Sequence, residues 1–244
     1  MASQPREQQE WDDLRWPGLW APVAAAAAYL AAEIVYGSLG AAAAGLVRAA
    51  GGKPILSSVL AWSNAAAIAT MGAVSLALVL RTNRTLQLKG IARLASRTGP
   101  DDWKLVVISL VAVLPAGIAV AALVTTRLGL RVDPVVNEVL SAPGSLIAAV
   151  FVAPLGEELW ARGLVFGALA RWGRAAAVVG ATVASAALHY QPVRVLGVVP
   201  VMFALSWLRH RTGRLAPCVM LHALYNLLLV GMTLLARAAG APTG

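Results

Sequence analysis

Charged residues are scarce in this sequence: they make up 13% of its 244 residues, whereas soluble domains average about 25%. This deficit excludes an ordinary water-soluble globular domain. Cysteine is scarcer still, because the chain has a single one, Cys218, inside an apolar run. One cysteine excludes a disulfide framework, a Cys-x-x-Cys redox pair and a metal site built from several cysteines.

Acidic residues are also few. Against 20 Lys and Arg there are 11 Asp and Glu, which gives a formal net charge of +9. Nucleic-acid binding would need these basic residues on one face or in one motif. Instead they lie between long apolar runs, as in the loops of membrane proteins, so we expect no nucleic-acid partner. The polar N-terminus lacks the basic start of a signal peptide, and we expect the first apolar run to remain in the mature protein.

Hydrophobic residues make up 59% of the chain. A membrane-spanning helix needs about 20 of them in succession, and the fifth and sixth of seven apolar runs are shorter than that. The sequence predicts an all-α, polytopic membrane helix bundle with about seven spans, in contact with membrane lipids. The predicted spans are 18–36, 55–80, 104–126, 145–171, 175–191, 194–208 and 215–236. We divide the chain into a polar N-terminal segment, N-terminal spans, C-terminal spans and a tail, at 1–17, 18–144, 145–236 and 237–244.

The basic residues also predict how the bundle is oriented. With the N-terminus in the cytoplasm, 13 Lys and Arg fall on the cytoplasmic side and 6 on the other. Cytoplasmic loops of membrane proteins carry such an excess. Tryptophan, which favours membrane boundaries, lies at the predicted cytoplasmic boundary at Trp16, Trp20, Trp103, Trp172 and Trp207. The Arg- and Ala-rich, Lys-poor composition is typical of a GC-rich bacterial genome, so we expect a bacterial plasma membrane.

The polar side chains within the C-terminal spans are of types that carry chemistry. The fourth span contains two carboxylates and a guanidinium, which near a bilayer centre cost on the order of 8 kcal/mol. That cost predicts a bundle interior, mutual pairing or a water-filled cavity. The residues are Glu157, Glu158 and Arg162 in the fourth span, His189 in the fifth, and His222 and Asn226 in the seventh.

Helical spacing separates the two glutamates. Glu158 and Arg162 are four residues apart and predict an ion pair on one helix face. Glu157 then has no local counter-ion and is the better candidate for a general base. Just before it, Pro154 removes a backbone hydrogen bond and Gly156 removes a side chain, which favours close approach of a second chain.

The remaining candidates also share a helix face, since His222 and Asn226 are four residues apart; such a pair can bind a metal, hold a water or stabilise an oxyanion.

Three motifs in this region carry a family resemblance. The segment GEELWARG at 156–163 matches Glu-Glu-x-x-x-Arg, LHALYN at 221–226 matches His-x-x-x-Asn, and LHY at 188–190 supplies the histidine of Phe-x-x-x-His. Their types and order resemble the CPBP family, the CAAX-protease and bacteriocin-processing intramembrane endopeptidases related to the type II CAAX prenyl endopeptidase. The chain departs from the pattern at Ser185, where the family has Phe. We expect this change to affect packing beside His189 more than its chemistry.

The resemblance implies an intramembrane protease acting on a peptide or protein in or at the membrane, with or without a lipid group. In that reading Glu157 activates water with the aid of His189, while His222 and Asn226 hold a metal or the oxyanion, and Glu158 and Arg162 support the site. Metal dependence stays open. A divalent metal such as zinc would be bound by His189, His222 and Glu157.

Two other classes of protein fit the same residues. A structural ion-pair cluster would suit a non-catalytic relative that keeps the fold as an immunity or scaffold protein. Buried Glu, Arg and His are also common in proton- or cation-coupled transporters, but the two halves lack a corresponding pair of Gly- and Pro-broken helices. One conflict concerns depth: His222 lies closer to the predicted cytoplasmic boundary than Glu157. Either the seventh helix begins earlier, near residue 209, or the bundle tilts strongly.

Overall fold

The computed structural model describes residues 17–51, 56–82, 99–128, 145–189 and 192–239. Within these ranges the structure is all-helical, as predicted, with seven helices. The fourth, α4, runs without a break from residue 145 to residue 170, and its segments are given below with the site. The other six are α1 (Trp20–Ala49), α2 (Leu56–Thr82), α3 (Pro100–Leu128), α5 (Arg174–Ala187), α6 (Pro192–Thr212) and α7 (Ala216–Ala238).

The outer surface of the bundle is apolar, as expected of an integral membrane protein. Four stretches are long and apolar enough to cross a bilayer: Trp20–Ala49, Trp62–Arg81, Pro100–Val124 and Ala216–Leu235. On α1, for example, the side chains of Leu30, Ile34 and Leu46 are 60%, 69% and 74% exposed. Exposing so much aliphatic surface to water would cost free energy, whereas contact with lipid tails, which are equally apolar, would not. The chain is therefore a polytopic membrane helix bundle.

Several helix ends differ from the predicted spans. The predicted span 175–191 is longer than α5, which has 14 residues, and 194–208 is shorter than α6, which has 21. The seventh helix begins at Ala216, so an earlier start near residue 209 is wrong. At that point α6 continues to Thr212, and the chain then turns at Gly213 with a φ of 68°, a left-handed conformation that favours glycine.

Two apolar clusters meet at α5. One contains buried residues of α1, α2, α4 and α5, such as Ala25, Met71 and Leu164. The other is built from α3, α6 and α7, with Ala186 of α5 at its edge. Helix α4 packs against α2 and α5 and also contacts α7 and α6. Its polar residues are thus enclosed by several helices.

One ion pair joins the beginning of α3 to the turn between α6 and α7. Arg214 Nη1 donates to Asp102 Oδ2 at 2.7 Å, and the two side chains are 17% and 14% exposed. Asp102 Oδ2 also accepts the Gly99 N–H at 2.9 Å, which satisfies a free donor at the start of the helix. These two chain segments lie at the same end of the bundle, as the predicted topology requires.

Candidate active site

Helix α4, which carries three of the predicted site residues, alternates between two kinds of helix. Its α-helical segments are Ser145–Ile147, Ala153–Glu158 and Phe166–Ala170, and its π-helical segments are Ala148–Val152 and Leu159–Val165. Two π segments in one helix are unusual, and single π turns often mark functional sites. Glu158 ends the central α segment, directly before the second π segment.

The first π segment leaves a carbonyl for Asn226. The N–H of Ala153 donates five residues back to the Ala148 oxygen. Continuing this pattern, the Ala149 oxygen would need the N–H of residue 154, but that residue is proline and has none. Asn226 Nδ2 donates to the Ala149 oxygen at 2.8 Å instead. One of the two amide hydrogens of Asn226 therefore ties α7 to α4, and among the described residues the other has no acceptor.

A backbone contact with α2 precedes Glu157. A Cβ placed on Gly156 would lie 2.6 Å from the Ile68 oxygen, and one placed on Gly72 would lie 2.8 Å from the Gly156 Cα. Any side chain at either position would push the two helices apart, since heavy atoms in contact pack about 3.5–4.0 Å apart. The close approach predicted from Gly156 is therefore present, and α2 is the chain that approaches.

The centre of the site is a fully buried ion pair. Arg162 Nη1 donates to Glu158 Oε1 at 3.0 Å, and both side chains are 0% exposed. Arg162 Nη2 donates to the Met202 oxygen of α6 at 2.7 Å. Burial without a partner would cost each of these charges several kcal/mol, so pairing is required. The pair expected from the i, i+4 spacing is present, and it also joins α4 to α6.

His222 contacts Glu158. Its Nδ1 lies 2.9 Å from Glu158 Oε1, the oxygen that also accepts from Arg162, and the His222 side chain is 6% exposed. Glu157 is half-buried and close enough to His222 for an electrostatic interaction. Within the described ranges, no hydrogen bond is formed by the Glu157 carboxylate. Sequence reasoning had given Glu158 a single partner, Arg162, and missed the second.

His189 is hydrogen-bonded within its own turn. It is half-buried in the turn that follows α5, and its Nδ1 donates to the Ser185 oxygen at 3.2 Å, within its own turn. The Ser185 hydroxyl in turn donates to the Ala181 oxygen at 2.7 Å. In the parts of the chain that the structure describes, neither ring nitrogen of His189 is hydrogen-bonded to Glu157, Glu158, His222 or Asn226. Their convergence on one reaction centre stays a prediction.

Sequence reasoning missed three polar side chains beside the network. The Thr182 hydroxyl of α5 donates to Ser206 Oγ of α6 at 3.1 Å, and Ser206 donates to the Met202 oxygen at 3.0 Å. Arg209, counted above among the cytoplasmic charges, lies within α6 with 4% exposure and donates from Nε to the Arg162 oxygen at 3.1 Å. The sequence signal that could have identified Thr182 and Ser206 is that each is an isolated polar residue in an apolar run, since such residues tend to face the bundle interior.

The residues brought together do not fit a zinc site. Among the described residues, no three His, Cys, Asp or Glu side chains lie close enough together to hold a metal ion. Catalytic zinc sites usually have three protein ligands. Here one carboxylate, that of Glu158, contacts one imidazole, that of His222. The Glu158 oxygen in this contact is already paired with Arg162. No step below is therefore routed through a metal.

Part of the chain matches a known family model. Residues 140–228 match the family model described as type II CAAX prenyl endopeptidase Rce1-like. The chain matches no curated protein and no solved structure at the significance required of a match. The matched segment runs from just before α4 into α7 and contains every site residue predicted from the sequence.

Proposed function

We propose that the chain belongs, through residues 140–228, to the Rce1-like family of type II CAAX prenyl endopeptidases, and that it hydrolyses a peptide bond of a substrate in or next to the membrane. The observation that carries the proposal is the buried group of Glu158, Arg162 and His222 with Glu157 beside it, inside the matched segment. So much charge in an apolar bundle is costly, and in membranes it usually marks a functional site.

In the proposed reaction Glu157 is the general base. Its carboxylate takes a proton from a water molecule as the water oxygen bonds to the peptide carbonyl carbon, whose π electrons move to the carbonyl oxygen. When the carbon–nitrogen bond breaks, the same proton goes to the amide nitrogen that leaves. Glu157 suits this role because no described side chain neutralises it or bonds to it, whereas Glu158 is paired through Oε1 with both Arg162 and His222. His189 would assist Glu157, and His222 and Asn226 are the polar groups available for the water and the oxyanion.

The proposed substrate is a peptide held at the membrane, with a prenylated peptide as the first choice. A lipid group would partition into the same layer as the exposed aliphatic side chains of the bundle, because each buried methylene contributes about 0.8 kcal/mol. The lipid would thus concentrate the peptide at the depth of the site. A soluble peptide of the same sequence lacks this advantage.

The test uses the purified full-length chain in lipid nanodiscs. Two peptides of one sequence, ending in cysteine and three further residues, differ only in a prenyl group on the cysteine. We expect a single cut in the prenylated peptide, detected by mass spectrometry, and a much lower kcat/KM for the unmodified one. Equal cleavage of both would contradict the lipid preference, and cleavage of neither would favour the non-catalytic scaffold, in which the buried ion pair only locks α4 to α6.

We propose that the N-terminus is cytoplasmic, as the distribution of basic residues predicts. A cysteine introduced by Lys89→Cys or by Arg211→Cys should then react with a membrane-impermeant maleimide only from the cytoplasmic side, and Arg131→Cys only from the other. Positions 89 and 131 lie outside the described residues, whereas Arg211 is exposed near the end of α6. The native Cys218 is fully buried and serves as the unreactive background. Reversed labelling at any position would mean a miscounted span.

A further inference from the structure

We infer that Glu158 is a positioning residue, which holds the His222 ring with its proton on Nδ1 and its lone pair on Nε2. The inference rests on the proposed function for the reaction, and it narrows the role of His222 there. Its basis is the 2.9 Å contact between His222 Nδ1 and Glu158 Oε1. Sequence spacing assigned Glu158 to Arg162 alone.

The state of Glu158 follows from its surroundings. Its carboxylate is 0% exposed and lies 3.0 Å from the Arg162 guanidinium, which is always charged. A neutral Glu158 would leave that guanidinium buried without a counter-ion, at a cost of several kcal/mol, so the carboxylate is ionised. An ionised carboxylate only accepts hydrogen bonds. The hydrogen in the contact with His222 is therefore on Nδ1.

The other ring nitrogen follows from this assignment. In a neutral imidazole one nitrogen carries hydrogen and the other accepts, and the hydrogen bond made by one nitrogen decides the state of its counterpart. With hydrogen on Nδ1, a neutral His222 ring has its acceptor at Nε2. Carboxylates fix histidines in this way in catalytic triads and behind metal ligands. Arg162 supports this tautomer because it keeps Glu158 ionised. The Met202 carbonyl oxygen in turn accepts a hydrogen bond from Arg162 and holds its guanidinium in place.

This tautomer determines whether His222 can bind the oxyanion or the attacking water in the proposed reaction. A neutral His222 with a lone pair on Nε2 cannot donate to an oxyanion from that nitrogen. It can accept one hydrogen of the attacking water while Glu157 takes the other as a proton, which would orient the water between them. The oxyanion is then left to other donors, among them the second amide hydrogen of Asn226, whose first is used by the Ala149 oxygen.

The test measures the tautomer directly. The chain has three histidines, so the ring nitrogens of His222 are assigned in ¹⁵N-labelled protein in detergent by comparison with His222→Gln. We expect a protonated Nδ1 and an unprotonated Nε2 at neutral pH. The double variant Glu158→Leu/Arg162→Met strands no charge, offers no acceptor to His222 Nδ1, and should lose this preference. Its kcat should fall by about 10²-fold or more, with KM changed only a few-fold, since loss of an orienting carboxylate in a triad lowers kcat by about 10⁴.

Two further variants separate this inference from the proposed function. Glu158→Asp keeps a carboxylate and should retain the tautomer and part of the activity. Glu157→Gln should leave the tautomer unchanged while activity is lost. A hydrogen on Nε2 of the wild-type His222, or an unchanged tautomer in the double variant, would overturn the positioning role. Absence of cleavage by the wild type would overturn the proposed function, and the nitrogen spectra would still decide the role of Glu158.

Discussion

Glu157→Gln is expected to lower kcat for peptide cleavage by at least about 10²-fold, because general-base catalysis contributes about 10²–10⁴. Glutamine has the size of glutamate but takes up no proton at neutral pH. The stability of the protein should hardly change, since the Glu157 side chain is half-buried and forms no hydrogen bond with the described residues. We expect a shift in Tm of no more than about 2 °C, which corresponds to roughly 0.5 kcal/mol at this chain length.

The matched control for this variant is Glu33→Gln. Glu33 is also a half-buried carboxylate in a membrane helix, but it lies in α1, outside the segment that matches the family. Its activity and Tm should equal those of the wild type. Full activity of Glu157→Gln on a verified substrate would remove Glu157 from the mechanism. A large loss of Tm would instead show that the residue is structural.

The second large effect concerns the buried ion pair. Glu158→Ala and Arg162→Ala should each lower stability by about 3–5 kcal/mol, because removing one partner leaves the other charge buried and unpaired. We expect Glu158→Ala to be the more damaging change. It leaves the Arg162 guanidinium with the carbonyl and sulfur of Met202, whereas Arg162→Ala leaves Glu158 with the imidazole of His222. The double variant should recover part of the loss, since it strands neither charge. Melting in detergent measures all four proteins of the cycle.

An exposed pair of equal length serves as the control for this cycle. Lys104 Nζ lies 3.0 Å from Asp101 Oδ1 in α3, with side chains that are 73% and 92% exposed. Surface pairs contribute only about 0–1 kcal/mol, so the same cycle on Asp101 and Lys104 should show little loss and little coupling. Additive losses at Glu158 and Arg162 would contradict the pairing and would reopen Glu158 as a candidate base.

Several local features were predictable from the sequence because they depend on a single helix. The apolar runs predicted α4 and α7 to within a few residues, since a span needs about 20 apolar residues. The pair of Glu158 and Arg162 follows from residues four apart lying on one helix face. The close approach at Gly156 follows from the missing side chain, although the partner helix, α2, was not predictable.

The short helices were predicted less well. Span 175–191 was drawn beyond the end of α5, because hydropathy continues through Leu188 while the helix ends at Ala187 and turns. The charge of Arg209 was assigned to a loop, because arginine in a span is rare. The structure places it inside α6, where the Arg162 oxygen accepts its Nε–H. Composition reports how apolar a segment is, and it does not report which buried carbonyls need a donor.

The sequence by itself determined the helical membrane class, the resemblance of its C-terminal part to a known family, and the candidate residues for chemistry, because these depend on residue type and on spacing along the chain. Only the tertiary structure decided which of those residues meet. His222 contacts Glu158, Asn226 is bonded to the carbonyl that Pro154 leaves free, and Arg162 reaches the Met202 oxygen. Each of these contacts joins two helices across 40 to 77 residues of sequence. Such contacts are fixed by the packing of α4, α6 and α7, because most buried polar groups are hydrogen-bonded and the local sequence does not name their partners.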